Sequence, residues 1–256
     1  RLCVMKTITL ALQKGGTGKT SMSVTLAAEL AKHGKTLLID ADPQGNATTW
    51  IGNNAQIQFE LADLLNGKQP LEKVIQPTGT ENLFIVPTAG LGGDLREYQT
   101  SKASGQPNAF LDITDIAQKQ FAYCVIDTAP NFDPLNTSVF IATDEIMTVL
   151  QFNEFSKDGL QIFTDNLITA RKNYRIPKEK AVLNKIILNA KDERIKQQSD
   201  LQKTFMQLEQ GGYSLFVIPI DQAFNKSQAM HCTIQDLAGT KKETLQAIES
   251  IIKAVM

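Results

Sequence analysis

Residues 7–20 read TITLALQKGGTGKT, an apolar run that passes directly into a glycine-rich loop. The apolar part, residues 7–12, is rich in β-branched side chains and predicts a buried strand. An amphipathic helical pattern follows over residues 21–32. A strand, a glycine-rich loop and a helix in this order are typical of a phosphate-binding loop, because glycines permit the tight curve and a helix N-terminus attracts anions.

The loop carries the groups that a polyphosphate requires. Backbone N–H donors are expected from four consecutive residues, Gly15, Gly16, Thr17 and Gly18. We predict that Lys19 contacts the β- and γ-phosphates, that the Thr20 hydroxyl coordinates Mg²⁺, and that Ser21 bonds the α-phosphate. The sequence therefore predicts a nucleotide site at this loop.

Further apolar runs of strand length alternate with helical patterns along the chain. They lie at residues 36–39, 83–86, 123–126, 146–150, 182–188 and 215–218. A helical pattern such as residues 108–118 separates most of these runs. The alternation predicts an α/β fold whose twisted, mostly parallel sheet has helices on both faces. Together with the phosphate-binding loop, it indicates a single-domain P-loop NTPase. We expect residues 1–256 to form this one domain.

Composition indicates a folded chain, with 42% hydrophobic and 21% charged residues. No apolar run approaches the roughly 20 residues that span a bilayer, and the amino terminus lacks a long secretory stretch, so we expect a cytoplasmic protein. The net charge of −1 excludes a uniformly basic nucleic-acid binder, although basic residues can still cluster locally.

The cysteines and the first four residues carry no evident functional motif. Cys3, Cys124 and Cys232 form no CxxC pair, so we interpret them as structural thiols. Residues 1–4 precede Met5, which resembles a natural start, and we interpret them as a tag remnant or an upstream extension without function.

A carboxylate follows the predicted strand at residues 123–126. An apolar strand that ends in an acidic residue, here Asp127, is the arrangement that places a Walker B carboxylate near Mg²⁺. Apolar runs that end in Asp are common, so the order and spacing after the glycine-rich loop support this assignment.

The loop departs from the G-x-x-x-x-G-K-T pattern, since Gln13 replaces the first Gly and Lys14 follows it. It resembles the deviant Walker A motif, KGGxGKT, of the ParA/MinD family of partition ATPases. The resemblance extends from Met5 to about Leu237. It implies ATP or ADP with Mg²⁺ as cofactors, and an ATP-bound homodimer in which Lys14 reaches the partner's nucleotide and assists catalysis. Residue chemistry alone leaves open a solvated Lys14 beside the loop.

The segment at residues 40–46, DADPQGN, is similar to the DxDPQGN segment of the same family. The resemblance implies that Asp40 lies near the Mg²⁺ shell and that Asp42 positions the attacking water. The alternative is an ordinary acidic turn, which would be favoured if the glycine-rich loop were absent.

The resemblance also implies a cellular role. The expected protein is a slow ATPase that binds DNA nonspecifically as an ATP dimer, associates with the nucleoid in that state, and is stimulated by a ParB-like centromere-binding partner. The glycine-rich loop begins too early for the N-terminal DNA-binding domain of longer members, so we expect the short form.

The base and the DNA contacts are less marked in the sequence. Asn184-Lys185 is followed by Ile186 and Ile187, so it lacks the carboxylate with which GTPases read guanine, and ATP is favoured.

Residues 217–224 contain none of the DNA-contacting arginines that many relatives carry there. A basic stretch between residues 171 and 203 is the candidate DNA surface, with solvated helix ends as the alternative. Its basic residues are Arg171, Lys172, Arg175, Lys178, Lys180, Lys185, Lys191, Arg194, Lys196 and Lys203, with Lys226 as a further candidate.

Three other functions share this loop. A MinD-like membrane ATPase needs an amphipathic tail, and residues 241–256 carry an apolar stripe that we interpret as the inner face of a docked helix rather than a membrane anchor. The stripe consists of Leu245, Ile248, Ile251, Ile252 and Val255. An iron–sulfur reductase needs two exposed cysteines per subunit, whereas Cys124 lies within a predicted buried strand. An ATPase that positions a cargo other than DNA remains open.

Overall fold

The computed structural model describes residues 5–52, 57–153, 155–192 and 194–256. The described ranges do not include residues 1–4, among them Cys3. They also do not include Glu193, an acidic residue within the basic stretch.

The described residues form one eight-stranded sheet. Its strands are β1 (Lys6–Leu10), β2 (Thr36–Ala41), β3 (Gln76–Pro77), β4 (Leu83–Val86), β5 (Tyr123–Thr128), β6 (Glu145–Gln151), β7 (Val182–Lys191) and β8 (Ser214–Pro219). Their order is β3-β4-β2-β5-β1-β6-β7-β8. Within the described part of the chain, β3 pairs antiparallel with β4 at one edge, and the other neighbours pair in parallel. The carboxyl ends of β1, β2 and β5 to β8 therefore meet at one edge of the sheet.

Helices cover both faces of the sheet. They are α1 (Lys19–Ala31), α2 (Asn46–Ile51), α3 (Leu61–Leu65), α4 (Leu71–Val74), α5 (Leu95–Ser101), α6 (Ala109–Ala117), α7 (Pro134–Ala142), α8 (Phe155–Asn173), α9 (Lys196–Met206), α10 (Ala223–Ala229) and α11 (Lys242–Val255). One apolar core packs α3 to α9 against the sheet, and a second packs α1, α2, α10 and α11 against the opposite face.

Strand β2 shows how the sequence supplies both cores. Leu37 and Ile39 belong to the first core, whereas Leu38, which lies between them, belongs to the second. Successive side chains of a strand point to opposite faces, so a strand buried on both sides must be apolar at every position. The continuous apolar runs in the sequence have this origin, and the predicted α/β architecture is confirmed.

The strand predictions differ from the structure mainly at the ends. Each predicted run lies within or across a strand, but β1 ends at Leu10 rather than at residue 12, and β7 continues to Lys191. Strand β3 was not predicted, because it has only two residues and one of them is Pro77, which cannot donate to a ladder.

Helix α11 confirms the docked interpretation of the carboxyl-terminal stripe for four of its five residues. Ile248, Ile251, Ile252 and Val255 are buried in the second core. Leu245 is 40% exposed, so its inclusion in the inner face was wrong. Lys6 Nζ donates to the Val255 carbonyl oxygen at 2.6 Å, which ties the end of α11 to β1.

Candidate functional site

The glycine-rich loop joins the carboxyl end of β1 to the first residue of α1. Gly16 and Gly18 have φ angles of 70° and 97°, a region that side chains disfavour and glycine adopts readily. Gly18 stands immediately before α1, so the N-terminus of a 13-residue helix faces the loop. This is the strand–loop–helix arrangement that the sequence predicts, and it is suited to a phosphate group.

Lys19 lies inside this loop. Its side chain is buried, and Nζ donates to the Lys14 carbonyl oxygen at 3.0 Å. Burial lowers the pKa of Lys19, while the carboxylates of Asp127 and Asp42 oppose that shift. An ammonium held near two carboxylates and a helix N-terminus is placed to meet an anionic ligand.

Asp127 lies at the centre of the buried part of the site. Its carboxylate accepts a hydrogen bond from Thr20 Oγ1 at 2.7 Å and another from Ser23 Oγ at 2.8 Å. Burial raises the pKa of Asp127 to about 6, and the two hydroxyl donors limit the rise. Thr20 and Asp127 are therefore brought together as the sequence predicts, whereas Ser23 was not predicted.

Asp40 neighbours Asp127 on the adjacent strand, because β2 and β5 pair these two residues in register. Asp40 Oδ2 accepts from both the backbone N and Oγ1 of Thr48, each at 2.7 Å. Burial raises the pKa of Asp40 to about 8, and the nearby charge of Asp127 adds to the rise. Asp40 therefore holds the first turn of α2, and its place near Mg²⁺ stays a prediction.

Asp42 lies at the end of the same segment. Its Oδ1 accepts from the Gln44 backbone N at 2.9 Å, and its backbone N lies 3.3 Å from Asp40 Oδ1. The segment thus forms a turn built on the two carboxylates. The Asp42 carboxylate lies close enough to Lys19 to oppose the lowering of the Lys19 pKa. This position suits a water-orienting group, and that role also stays a prediction.

The residues present fit a magnesium nucleotide. Thr17 Oγ1 is buried and has no hydrogen-bond partner among the described residues, so the loop retains polar capacity for a ligand. Within the described ranges, no group of three His, Cys, Asp or Glu side chains is arranged to hold a metal ion. Magnesium commonly binds through one or two protein groups together with substrate phosphates, which matches Thr20 and Asp127.

Amide side chains from neighbouring strands surround the loop, and the sequence analysis missed them. Gln151 Nε2 donates to the Gly16 carbonyl oxygen at 2.7 Å, and Asn189 Nδ2 donates to that of Thr17 at 2.9 Å. Lys14 Nζ donates to Asn153 Oδ1 at 3.1 Å. These amides lie at or just after the carboxyl ends of β6 and β7, a position where α/β sheets place ligand-binding residues. That position was the signal available in the sequence.

The Asn184-Lys185 pair, which was compared with the guanine-reading segment of GTPases, lies in the amino-terminal half of β7, whereas Asn189 contacts the loop. Lys185 lies toward the amino end of β7, where it pairs with the buried Glu145, remote from the loop. Asn189, near the carboxyl end of β7, contacts the loop. Lys191 and Asp192, which follow it, line a cavity of about 580 Å³. Asp192 lines this cavity, and both of its carboxylate oxygens accept from the Arg194 guanidinium, at 2.8 and 2.6 Å.

The predicted basic stretch is not one surface. Strand β7 has ten residues and spans about 30 Å, so Lys172, Arg175 and Lys178 lie beyond one end of it and Lys196 beyond the other. Lys185 is 7% exposed and paired, so its inclusion as a DNA contact was wrong.

Other residues of the basic stretch have internal partners. Arg171 donates to the carbonyl oxygens of Pro177, Lys178 and Ala181. Lys180 pairs with Asp144 at 2.5 Å, and Lys203 with Asp200 at 3.3 Å. These partners account for part of the positive charge that the sequence showed as a cluster.

Two further observations bear on the alternative functions. Cys124 is buried, as predicted, so it cannot serve as an exposed cluster ligand, and Cys232 is partly buried. None of the helices in the described ranges combines the length and apolar character needed to cross a membrane.

Comparisons with known proteins agree with this geometry. The model of the AAA domain family matches residues 5–180. The virulence plasmid ParA family protein pGP5-D of Chlamydia psittaci is 33% identical over 174 residues, covering 67% of each chain. Among solved structures, an ATP complex of McdA from Cyanothece has a TM-score of 0.83 at 19% identity and covers 98% of this chain and 96% of its own. MinD from Pyrococcus horikoshii OT3 in complex with Mg-ADP has a TM-score of 0.76 at 19% identity, with coverage of 98% and 96%.

The family match covers most of the chain, and the two solved structures share its fold, a single P-loop NTPase domain with a mostly parallel sheet. The glycine-rich loop, Thr20 and Asp127 occupy the same carboxyl edge that the sequence motifs predict. The chain therefore belongs to the AAA domain family and, within it, to the ParA family.

Proposed function

We propose that the chain is a slow, Mg²⁺-dependent ATPase that forms an ATP-dependent nucleotide-sandwich dimer, binds DNA nonspecifically and drives plasmid or chromosome partition. A ParB-like partner would stimulate its hydrolysis. The observation that carries the proposal is the meeting of Lys19, Thr20 and Asp127 at one loop, with Lys14 beside them. The relatives named as ParA family proteins support the partition role.

We assign a role in this reaction to each residue of the site. The backbone of residues 15–18 and Lys19 hold the polyphosphate, and Ser21 bonds the α-phosphate. Thr20 and Asp127 would hold Mg²⁺, and Asp40, which pairs with Asp127 on the neighbouring strand, would lie near them. Bound magnesium supplies positive charge that neutralises the phosphate oxygens. Asp42 orients the water that attacks the γ-phosphate.

Lys14 is the residue that connects hydrolysis to assembly. Its side chain lies at the rim of the loop rather than inside it, while Lys19 occupies the interior. In the dimer, Lys14 reaches the nucleotide of the other subunit and adds charge at the γ-phosphate. Hydrolysis then requires two subunits, so we expect the monomer to hydrolyse ATP slowly and the protein to switch between ATP and ADP states.

The cavity at the carboxyl ends of β7 and β8 is the proposed base site. Lys191, which lines the cavity, lies two residues after Asn189, which contacts the loop. Among the described residues that line the cavity, Asp192 and Asp221 carry carboxylates that are already engaged, since Asp192 accepts from Arg194, and Asp221 accepts from backbone groups of Ala223 and Lys241. Guanine needs a carboxylate that accepts from its N1–H and 2-amino groups, so engaged carboxylates favour adenine.

We assign nonspecific DNA binding to the exposed cations near this cavity, Arg194, Lys196 and Lys226, because their closeness to the nucleotide site lets ATP control the surface. The test is a DNA gel shift with a nonhydrolysable ATP analogue over a salt series. Each lost phosphate contact should reduce the slope of log affinity against log salt by about 0.9. Lys226→Ala should therefore flatten the salt dependence, and Lys172→Ala, at the other end of β7, is the matched control. Absence of DNA binding at low salt would contradict the assignment.

The protein is proposed to be cytoplasmic and nucleoid-associated in its ATP state. The alternative is a MinD-like membrane-associated ATPase or one that positions another cargo. Flotation with anionic vesicles separates the first of these, because the apolar side chains of α11 that would enter a bilayer are buried against the sheet.

A further inference from the structure

The loop at residues 88–94, which we call the clamp loop, follows β4 and packs on the turn at residues 42–45, the Asp42 turn. Gly45 has a φ of 66°, and a Cβ built there would lie 2.7 Å from the Thr88 carbonyl oxygen. A Cβ on Gly90 would lie 3.1 Å from a carbonyl oxygen of the same turn. The two backbones leave no room for side chains between them, so a shift of the clamp loop must also shift the Asp42 turn.

Hydrogen bonds join the clamp loop to Asp40 as well. Thr88 Oγ1 donates to the Asp40 carbonyl oxygen at 2.6 Å, and the Thr88 backbone N donates to Thr48 Oγ1 at 2.9 Å. Thr48 Oγ1 in turn donates to Asp40 Oδ2. Both threonines are buried, so these bonds are not exposed to competition from water. The clamp loop therefore contacts the segments that carry both Asp40 and Asp42.

Glu60 holds the clamp loop near both of its ends. Its Oε2 accepts from the Ala89 backbone N at 2.7 Å, and its Oε1 accepts from the Asp94 backbone N at 2.6 Å. Glu60 is buried and stands immediately before α3. Hydrogen bonds to a charged acceptor are about twice as strong as those between neutral groups. A buried carboxylate with one loop donor on each oxygen fixes the two ends of the loop relative to each other.

We propose that Glu60 is a positioning residue for hydrolysis, which clamps residues 88–94 against the Asp42 turn and so keeps the Asp42 carboxylate where it orients water. Glu60 acts through the clamp loop and does not touch the nucleotide. The proposal rests on the proposed role of Asp42 in the reaction. It assigns a function to a carboxylate that the sequence motifs do not include.

Two variants separate the clamp from a merely structural role of Glu60 at the start of α3. Glu60→Gln has nearly the same size, but its amide nitrogen cannot accept, so one end of the clamp loop loses its bond. Asp63→Ala is the matched control, because Asp63 Oδ2 accepts from the backbone N of Glu60 at 3.1 Å and completes the cap of α3. Loss of the cap alone would affect α3 in both variants.

A second pair of variants tests the next step of the connection. Thr88→Val keeps the shape of the side chain and removes the hydroxyl that donates to Asp40, while it leaves Glu60 and α3 intact. Thr88→Ser keeps the hydroxyl. The valine variant should therefore reproduce the effect of Glu60→Gln on the Asp42 turn, and the serine variant should reverse it.

The first measurement is amide hydrogen exchange by NMR on the nucleotide-free full chain. The reporters are the Gln44 N–H, which bonds to Asp42 Oδ1, and the Thr48 N–H, which bonds to Asp40 Oδ2. Glu60→Gln should raise their exchange rates by about tenfold, as expected when a hydrogen bond to a charged group is lost. Asp63→Ala should leave both rates unchanged. Amides of α11 report global unfolding and should not respond to either variant.

The second measurement is steady-state ATP hydrolysis. Glu60→Gln should lower kcat by about tenfold and leave the KM for ATP unchanged, because misplacement of Asp42 affects the reaction and not the contacts of the glycine-rich loop with phosphate. Asp63→Ala should change neither constant.

Unchanged exchange at Gln44 and Thr48 in Glu60→Gln, or an equal increase in Asp63→Ala, would overturn the inference. A rise in KM with an unchanged kcat would also overturn it. A wild-type chain without ATPase activity contradicts the proposed function and the effect on kcat, while the exchange rates still decide whether Glu60 holds the Asp42 turn.

Discussion

Gly18 and Asn189 form a contact whose energetic coupling can be measured. Gly18 has a φ of 97°, and a Cβ built there would overlap the Nδ2 atom of Asn189. Asn189 uses this approach to donate to the Thr17 carbonyl oxygen. Gly16 provides a matched control, since its φ is 70° and a Cβ there would meet nothing within 4 Å.

The magnitudes follow from these two environments. Gly16→Ala should lower the free energy of unfolding by about 1–2 kcal/mol, the cost of a left-handed backbone for a residue with a Cβ. Gly18→Ala carries the same cost and also displaces Asn189, which adds about 1 kcal/mol for the lost hydrogen bond and more for the overlap. We therefore expect a loss of about 2–4 kcal/mol.

The assay is urea unfolding of the single and double variants. Asn189→Ala alone should cost about 1 kcal/mol, but the double variant Gly18→Ala/Asn189→Ala should cost no more than Gly18→Ala, because the hydrogen bond is already lost. Gly16→Ala and Asn189→Ala should instead add. Additivity of the Gly18 pair within about 0.5 kcal/mol would refute the reasoning.

Three further predictions concern charge and assembly. In magnesium-free buffer, the free energy of unfolding should fall from pH 5 to pH 8, because Asp40, whose pKa is raised to about 8, and Asp127, whose pKa is raised to about 6, retain protons that the unfolded chain releases above about pH 4. Asp40→Asn should flatten this fall, as measured by urea unfolding. Equal stability of the wild-type protein at both pH values would contradict the prediction. Arg194→Ala frees the Asp192 carboxylate, so GTP should compete better against labelled ATP. Its apparent affinity should rise by at most about fivefold, as expected for the loss of an exposed ion pair. A rise in ATP affinity alone would contradict the base-site assignment. Lys14→Ala should retain ATP binding by equilibrium dialysis and lose stable dimerisation by light scattering, and ATP-dependent dimerisation at wild-type strength would rule out the trans role.

The parts of the site that the sequence predicted are those carried by consecutive residues. Lys19 and Thr20 follow a glycine-rich loop, and Asp127 ends a strand, so a local pattern suffices to place each at the carboxyl edge. Strand pairing then brings Asp40 beside Asp127, which the shared edge also predicts.

The parts that were missed depend on partners distant in the chain. Lys185 pairs with Glu145 across two strands, and nothing near Lys185 in the sequence indicates that it is buried. Asn153 and Asn189 reach the loop only because β6 and β7 follow β1 in the sheet order, which periodicity cannot specify. The basic stretch looked continuous because β7, which separates its two ends, is itself part of the stretch.

The central claim is that ATP joins two subunits through Lys14. The most direct measurement is the molar mass of Asp42→Ala by light scattering with Mg-ADP and with Mg-ATP, since loss of the water-orienting carboxylate should trap the ATP state. The account predicts the mass of a monomer, 28.2 kDa, with ADP and twice that mass with ATP. The same monomer mass with both nucleotides, at concentrations that saturate the site, would contradict it.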